Sequence, residues 1–391
     1  MPREALPPSP APPVPAEAVV DPRIGNSGPC LLALEDGSVF PGIAFGATRA
    51  AGGDLVVNTS QTGYQEVCTD PSYAGQVVVM TFPLIGNHGR LAEDDQSERP
   101  WLRGLVVGHA TAGVLGRARQ IVHLLRSAGV PAIAGLDTRR LARHLREQGS
   151  LRGVISAPGE VDPEAAVAAA RDLPRWEDQD FVSQVSAFRP YEVGVRGPVV
   201  AVVDLGLKTD IVRSLHRRGA RVRVFPHTAT VEQLLAPDID GVVISPGPGD
   251  PARLGAQVAL ARAIIADARP LLGICLGHQI VGLAAGGRTT RLRFGHHAAN
   301  HPVRDEGSGR VTVTAQNHEV QVEADSLPTA SGFYVSQRNL NDGTVEGLRH
   351  HAKPIETVQY HPEGSPGPLD AAEVFDRFLG HVRAHSSGWP T

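Results

Sequence analysis

From Val199 to Ile274 the sequence alternates in a way that few folds accommodate. The apolar runs VVAVVDL, RVRVF, GVVIS and PLLGI are separated by the helix-like segments KTDIVRSLHRRG, TVEQLLA and AQVALARAIIADA. Short β-branched runs that alternate with amphipathic helices build a parallel sheet wrapped by those helices. The pattern therefore predicts an α/β fold, with a doubly wound parallel sheet over residues 198–386. In such sheets the chemistry lies at the carboxyl ends of the strands.

The last of these strands runs into Gly273-Ile-Cys275-Leu-Gly277. Its glycine spacing is that of a nucleophile elbow, where small neighbours allow a sharp, strained turn from strand to helix. A thiol there stands at a helix N-terminus, where partial positive charge favours thiolate and free N–H groups meet a developing oxyanion. A thiolate needs a base, and IETVQYHPE at 355–363 supplies one at His361. His and Glu two apart on extended chain project to the same side. Glu363 then holds one imidazole nitrogen while the other faces Cys275, giving nucleophile, base and orienter. The bland alternative is a buried structural cysteine with a surface histidine. The elbow, His-Pro-Glu and their chain order together favour the triad. Ser245-Pro-Gly-Pro-Gly-Asp250 follows the strand GVVI, and its glycines let backbone N–H groups approach a substrate oxygen. Alone, such a string is only a turn. Gly206-Leu-Lys208-Thr209 lacks the spacing of a phosphate-binding loop, so no nucleotide site is expected on this chain.

At 391 residues the chain is long enough for two or three domains. From Cys30 to about Phe188 short strand-like runs (LLALEDGSVF, VVVMTF, LRGLVVGHA) mix with a few helical patterns, predicting a mixed α+β domain over 30–190. FRPYEVGVRGP at 188–198 has linker character. Residues 1–29 form a Pro/Ala-rich tail, expected to be disordered; Glu4 and the lack of an apolar core argue against a signal peptide. A formal net charge of −4 gives no reason to expect nucleic acid, and no apolar run approaches membrane-spanning length. Cys30, Cys68 and Cys275 are odd in number and widely spaced, which points to a reducing, cytoplasmic setting without disulfides. Arg139, Arg140, Arg143 and Arg146 share a helical pattern whose apolar side is Leu136, Leu141 and Leu145, so they read as a solvated face before a phosphate site. Asp94 and Asp95 read either as loop charges or as the border of an interface with a partner chain.

GICLGHQ, with Gln279 four after the cysteine, SPGPGDP at 245–251 and QYHPE at 359–363 resemble a class I glutamine amidotransferase domain. The other half narrows the likeness. Asn58-Thr-Ser-Gln-Thr-Gly-Tyr-Gln-Glu66, Thr69-Asp-Pro-Ser-Tyr73, Gly86-Asn87, LDTRRLARHLREQG at 136–149, FGHHAANHPV at 294–303, AQNH at 315–318 and SPGPLDA at 365–371 resemble the small, glutaminase chain of carbamoyl-phosphate synthetase. The resemblance runs from about residue 30 to 385 and implies a flavodoxin-like amidotransferase domain behind a small-chain-specific domain. It implies that Cys275 attacks the side-chain amide of glutamine, that backbone N–H groups of Leu276 and Gly247 hold the oxyanion, and that His361 and Glu363 complete the triad. Ser60, Gly249, Gln279 and Asn317, with the backbone of Glu319 and Val320, would hold glutamine. Ammonia would pass to a large subunit that uses ATP and Mg to make carbamoyl phosphate from bicarbonate, in a heterodimer or an oligomer of heterodimers. The chain itself would carry no cofactor and no metal, since the family has a string like His296, His297 and His301 without one.

The chain departs from the family pattern at three places. Glu319-Val320 stands where the family reads Gly-Phe, and should that position need positive φ, a glutamate costs about 1 kcal/mol. Ala110–Gly116 replaces a Ser-Asn-aromatic-Arg signature, and Leu369 replaces a histidine. Two rival readings stay open: a free-standing glutaminase or γ-glutamyl hydrolase of the same class, and a catalytically idle regulatory subunit.

Overall fold

The computed structural model describes residues 19–25, 27–113 and 120–386. Its first half closes into a barrel whose strands run, around the ring, Gly28–Leu34, Val39–Ala44, Ala132–Ala134, Gly104–Val107, Gln76–Met80, Ala51–Asn58 and Arg152–Ile155. Three neighbouring pairings are parallel and the rest antiparallel, which makes the expected mixed domain. LLALEDGSVF, a single strand-like run in sequence, is a hairpin: Gly37 turns it at φ 98°, and Leu34 N–H donates to Ser38 O. The helix Thr138–Gln148 opens on Asp137, whose carboxylate accepts from Arg140 N–H, and buries Leu141 and Leu145 while its four arginines stay exposed.

Two boundaries differ from expectation. Val19, Val20 and Ile24 are buried in the barrel core, and Val20 bridges to Ala110. Buried chain thus reaches into the stretch assigned to the tail, because three aliphatic side chains suffice to dock a short segment; residues 1–18 lie outside the described residues. Part of Ala110–Gly116 lies outside them as well. The segment 188–198 is more than a connection, since Tyr191–Val193 pairs antiparallel with Arg221–Pro226 and becomes an edge strand.

The second half is built on five parallel strands in the spatial order Arg221–Pro226, Val199–Asp204, Gly241–Ile244, Leu271–Ile274, Ile355–Val358. Numbered along the chain this order is 2-1-3-4-5, that of flavodoxin-like sheets. Alternate residues of Val199–Asp204 face opposite cores. Ala201 and Val203 pack with Ile264 and Ile280 on one side, and Val200 and Val202 with Ile211, Leu215 and Phe375 on the other. Antiparallel strands Val345–His350, Phe333–Asn339, Thr289–Asp305 and Val311–Val322 extend the sheet past Ile355–Val358. Their sequences show little alternation because polar groups carry much of the packing. Glu346, for example, is fully buried and accepts from Gln316 Nε2 and Asn339 Nδ2, each at 2.8 Å. Among the described residues no helix is long and apolar enough to cross a membrane.

His278, on the first turn after the elbow, is wholly buried, with Nδ1 2.8 Å from Thr357 Oγ1. Burial pushes it down from 6.5 to about 3. The unfolded chain therefore binds a proton at this residue between about pH 6.5 and 3 that the native state refuses, and stability falls as pH falls through that window. Between pH 7.5 and 5 this group should remove about 2 kcal/mol. Urea unfolding at both pH values should show His278→Gln losing less stability on acidification than wild type by about that amount; equal losses would rule this source out.

Candidate active site

The strand Leu271–Ile274 ends at Cys275, which has φ 53° and ψ −103° and caps the helix Leu276–Ala284. A non-glycine residue persists at positive φ only where its surroundings over-determine it. Here Cys275 N–H donates to Val358 O at 2.8 Å, continuing the parallel ladder through the turn. The glycines make the turn sterically possible, since a Cβ on Gly277 would lie 2.1 Å from Ile244 O. Leu276 opens the helix, so its N–H has no acceptor within that helix. Gly247 lies across from it, pressed so closely on Leu205 O that a Cβ would stand 2.1 Å away, with Leu276 Cδ2 at 3.0 Å. The two predicted oxyanion donors thus sit on adjoining loops at one sheet edge. The Cys275 thiol, 2% exposed as a residue, donates to Asn317 O at 3.5 Å.

His361 and Glu363 lie just past the strand Ile355–Val358, in a turn closed by Gly364 N–H donating to His361 O. The extended geometry expected for them is therefore not what brings them together. A direct bond does so instead: His361 Nδ1 lies 2.8 Å from Glu363 Oε1. His361 N–H donates to Ala315 O of the strand Val311–Val322, holding the main chain at this residue. Its Nε2 is buried with no hydrogen-bond partner, leaving it open toward the thiol. Lys208 completes the group. Its side chain is 2% exposed, and Nζ contacts Glu363 Oε1 at 2.9 Å and Gly364 O at 2.8 Å. Burial works against charge on all three residues. The Lys208 and His361 charges nonetheless hold the Glu363 carboxyl well below its usual range, and the Glu363 charge raises both Lys208 and His361.

A pocket beside Cys275 gathers the predicted Gly247, Gly249, Gln279, Asn317, Glu319 and Val320. Ser60 is buried but does not line it. Gln279 Nε2 donates to Val320 O at 2.8 Å and so ties the elbow helix to the strand Val311–Val322. Glu319 lies within that strand and is not among the residues with positive φ, so the backbone penalty weighed for a glutamate does not arise. Its carboxylate meets His297 Nε2 at 2.7 Å, Ser150 Oγ at 3.0 Å and Arg291 at 3.2 Å. Arg291 also reaches Asp54 of the barrel at 2.6 Å and contacts Glu177. The histidines of 296–301 all face protein partners: His296 faces Asp342, His297 faces Asn317 and Glu319, and His301 faces Asn339.

Lys208 escaped the sequence reading, which weighed it only as part of a phosphate loop. The available signal was its place just beyond the strand Val199–Asp204, on the same sheet edge as Cys275. Ser72, Gln76 and Trp176, which also line the pocket, carried no catalytic signal of their own.

Residues 201–381 match the family model of class-I glutamine amidotransferases, and residues 32–155 match that of the carbamoyl-phosphate synthase small chain, CPSase domain. Among curated relatives, the carbamoyl phosphate synthase small chain of Symbiobacterium thermophilum is 45% identical over 363 residues, covering 89% of this chain and 97% of the relative. That of Methanopyrus kandleri is 45% identical over 360 residues, with coverage of 90% and 99%. A pyrimidine-specific small chain of Halalkalibacterium halodurans is 43% identical over 350 residues, with coverage of 89% and 95%.

Removing one partner of a buried ion pair leaves an uncompensated charge, which typically destabilises by about 3–5 kcal/mol. Lys208→Met should lower the unfolding free energy by that order, with Glu363→Gln in the same chain restoring part of it. A loss below about 1 kcal/mol in urea titration would contradict this account of the ion pair.

Proposed function

The chain belongs to the family of carbamoyl phosphate synthase small chains and carries their glutamine amidotransferase domain, and on that premise we propose that it hydrolyses L-glutamine through Cys275, His361 and Glu363. His361 Nε2 takes the thiol proton as Cys275 Sγ attacks the side-chain amide carbon. The oxyanion forms beside the N–H groups of Leu276 and Gly247, where fixed donors act on charge as it develops. His361 returns the proton to the departing nitrogen, releasing ammonia and leaving a thioester. It then accepts a proton from water, whose oxygen attacks the thioester, and glutamate departs. Glu363 fixes the imidazole through Nδ1, and Lys208 keeps Glu363 ionised. The observation that carries this reading is the buried His361–Glu363 contact at 2.8 Å with Nε2 otherwise unpartnered beside a cysteine held at positive φ.

In this reading ammonia passes to a large subunit that consumes ATP and Mg and forms carbamoyl phosphate from bicarbonate, in a cytoplasmic heterodimer or an oligomer of heterodimers. The fit of Glu319 into a regular strand weighs against an idle regulatory subunit.

Glutamate release by the purified chain, measured with and without a large subunit, ATP and bicarbonate, tests the proposal. Stimulation by the partner with carbamoyl phosphate formed is the expected result. Cys275→Ala should abolish glutamine-dependent synthesis and leave ammonia-dependent synthesis by the complex intact. Undiminished hydrolysis without any partner would favour a free-standing glutaminase. A folded chain that binds the partner yet hydrolyses nothing would favour the idle subunit.

A further inference from the structure

The cavity at Cys275 measures about 20 Å³, room for about one water molecule. Glutamine is several times larger, so a wall of this pocket has to move before such a substrate reaches the thiol. Most of the walls are fixed by pairing. Asn317, Glu319 and Val320 lie on the paired strand Val311–Val322, Gln76 on a barrel strand and Gln279 on the elbow helix. Gly247 is clamped against Leu205 O. Trp176 differs, because it stands in a single 3₁₀ turn, Trp176–Asp178. With Ala74, Phe181 and Val185 it forms a small apolar cluster separate from the main cores. Its Nε1 is buried without a hydrogen-bond partner, a penalty that exposure to water removes.

The stretch around Trp176 is anchored at both ends. Arg152 Nη1 donates to Leu173 O on one side, and Val182 packs in a core of the second sheet on the other. Between these anchors the ion pair of Glu177 with Arg291 is the only one among the described residues. A segment held by so few contacts opens at low free energy. Beyond it lies a second cavity, of about 240 Å³, with the exposed Asp180 and Arg253 on its rim. Pro248 and Gly249 line both cavities, Trp176 lines the inner one and Phe181 the outer. The two rings are tilted together at 6.1 Å and, with Pro248–Gly249, form the partition.

We propose that glutamine enters through the outer cavity and that residues 174–181 are a gate between it and Cys275, latched by Glu177 on Arg291. This rests on the reading of glutamine as substrate and adds to it an entry site and a moving part. The outer cavity offers both signs of charge that a zwitterionic amino acid requires, Arg253 for its carboxylate and Asp180 and Asp250 for its ammonium. Lifting the Trp176–Phe181 pair joins the two spaces while the paired strands and the loop at Gly247 stay in place. Closure over the bound amide then keeps bulk water from the thiol.

The gate is tested on the full chain by the rate at which iodoacetamide, a small neutral reagent, alkylates Cys275, read by peptide mass. Glu177→Gln should raise that rate about threefold and Glu177→Lys about tenfold, as loss and then reversal of one partly exposed ion pair predict. Cys30 and Cys68, buried in the barrel, serve as internal controls and should react no faster. An unchanged rate at Cys275 in both variants, or an equal rise at all three thiols, would overturn the gate. The entry site is tested in the complex with a large subunit. Arg253→Gln should lower kcat/KM for glutamine about threefold, leaving kcat and the iodoacetamide rate unchanged; an unaltered kcat/KM would overturn the outer cavity as the way in. A wild-type complex that hydrolyses no glutamine would overturn the function and the glutamine route, whereas the alkylation rates report the gate whatever the substrate.

Discussion

Cys275 holds a backbone conformation that costs of order 1–3 kcal/mol, and the arrangement around it exists to hold that conformation in place. The parallel ladder continues through Cys275 N–H to Val358 O. The helix that follows is pulled against Ile244 O at a distance only Gly277 permits. The same packing brings the loop at Gly247 beside the helix N-terminus. Sheet order matters here because the strands ending at Ile244, Ile274 and Val358 are consecutive neighbours. Cys275, the loop at Gly247 and His361 therefore arrive at one edge as a consequence of strand pairing, with no long loop to order.

The charges behind the histidine form a second constraint. Lys208, Glu363 and His361 are almost wholly shielded from solvent, and both cationic partners share Glu363 Oε1. A carboxylate in that position without Lys208 would be held by one imidazole alone. With Lys208 in place Glu363 keeps a cationic partner whichever form His361 takes. Burial pushes the Cys30 thiol up to about 12, and burial with the nearby charges of Glu66 and Asp95 does the same for Cys68.

The pocket belongs to both halves of the chain. Arg291 joins Glu319 of the second sheet to Asp54 of the barrel and Glu177 of the connecting segment. Asp70 joins the turn at Ser72 to Asn317. Glu319 thus acts in the structure as the counter-charge of Arg291 and the partner of His297. Burial works against its ionisation, yet the hydrogen bond from His297 and the charges of His297 and Arg291 hold its carboxyl below the usual range.

The sequence by itself determined the parallel sheet and the turn at Cys275, and it singled out His361 and Glu363 as candidates, because each rests on local chemistry: periodicity, glycine spacing and a His-Pro-Glu run. It was silent on the antiparallel extension, where Gln316, Asn339 and Glu346 pack through hydrogen bonds and leave no apolar period to read. It left Val19, Val20 and Ile24 in the tail, because three residues are too few to form a pattern, though enough to dock on a finished barrel. Tertiary structure alone decided that Lys208 contacts Glu363 and that Glu319 lies on unstrained strand. It alone put Ser72, Gln76 and Trp176 beside a cysteine about 100 to 200 positions away in sequence. Those facts depend on burial and on the meeting of two sheets, and neither can be read from neighbouring residues.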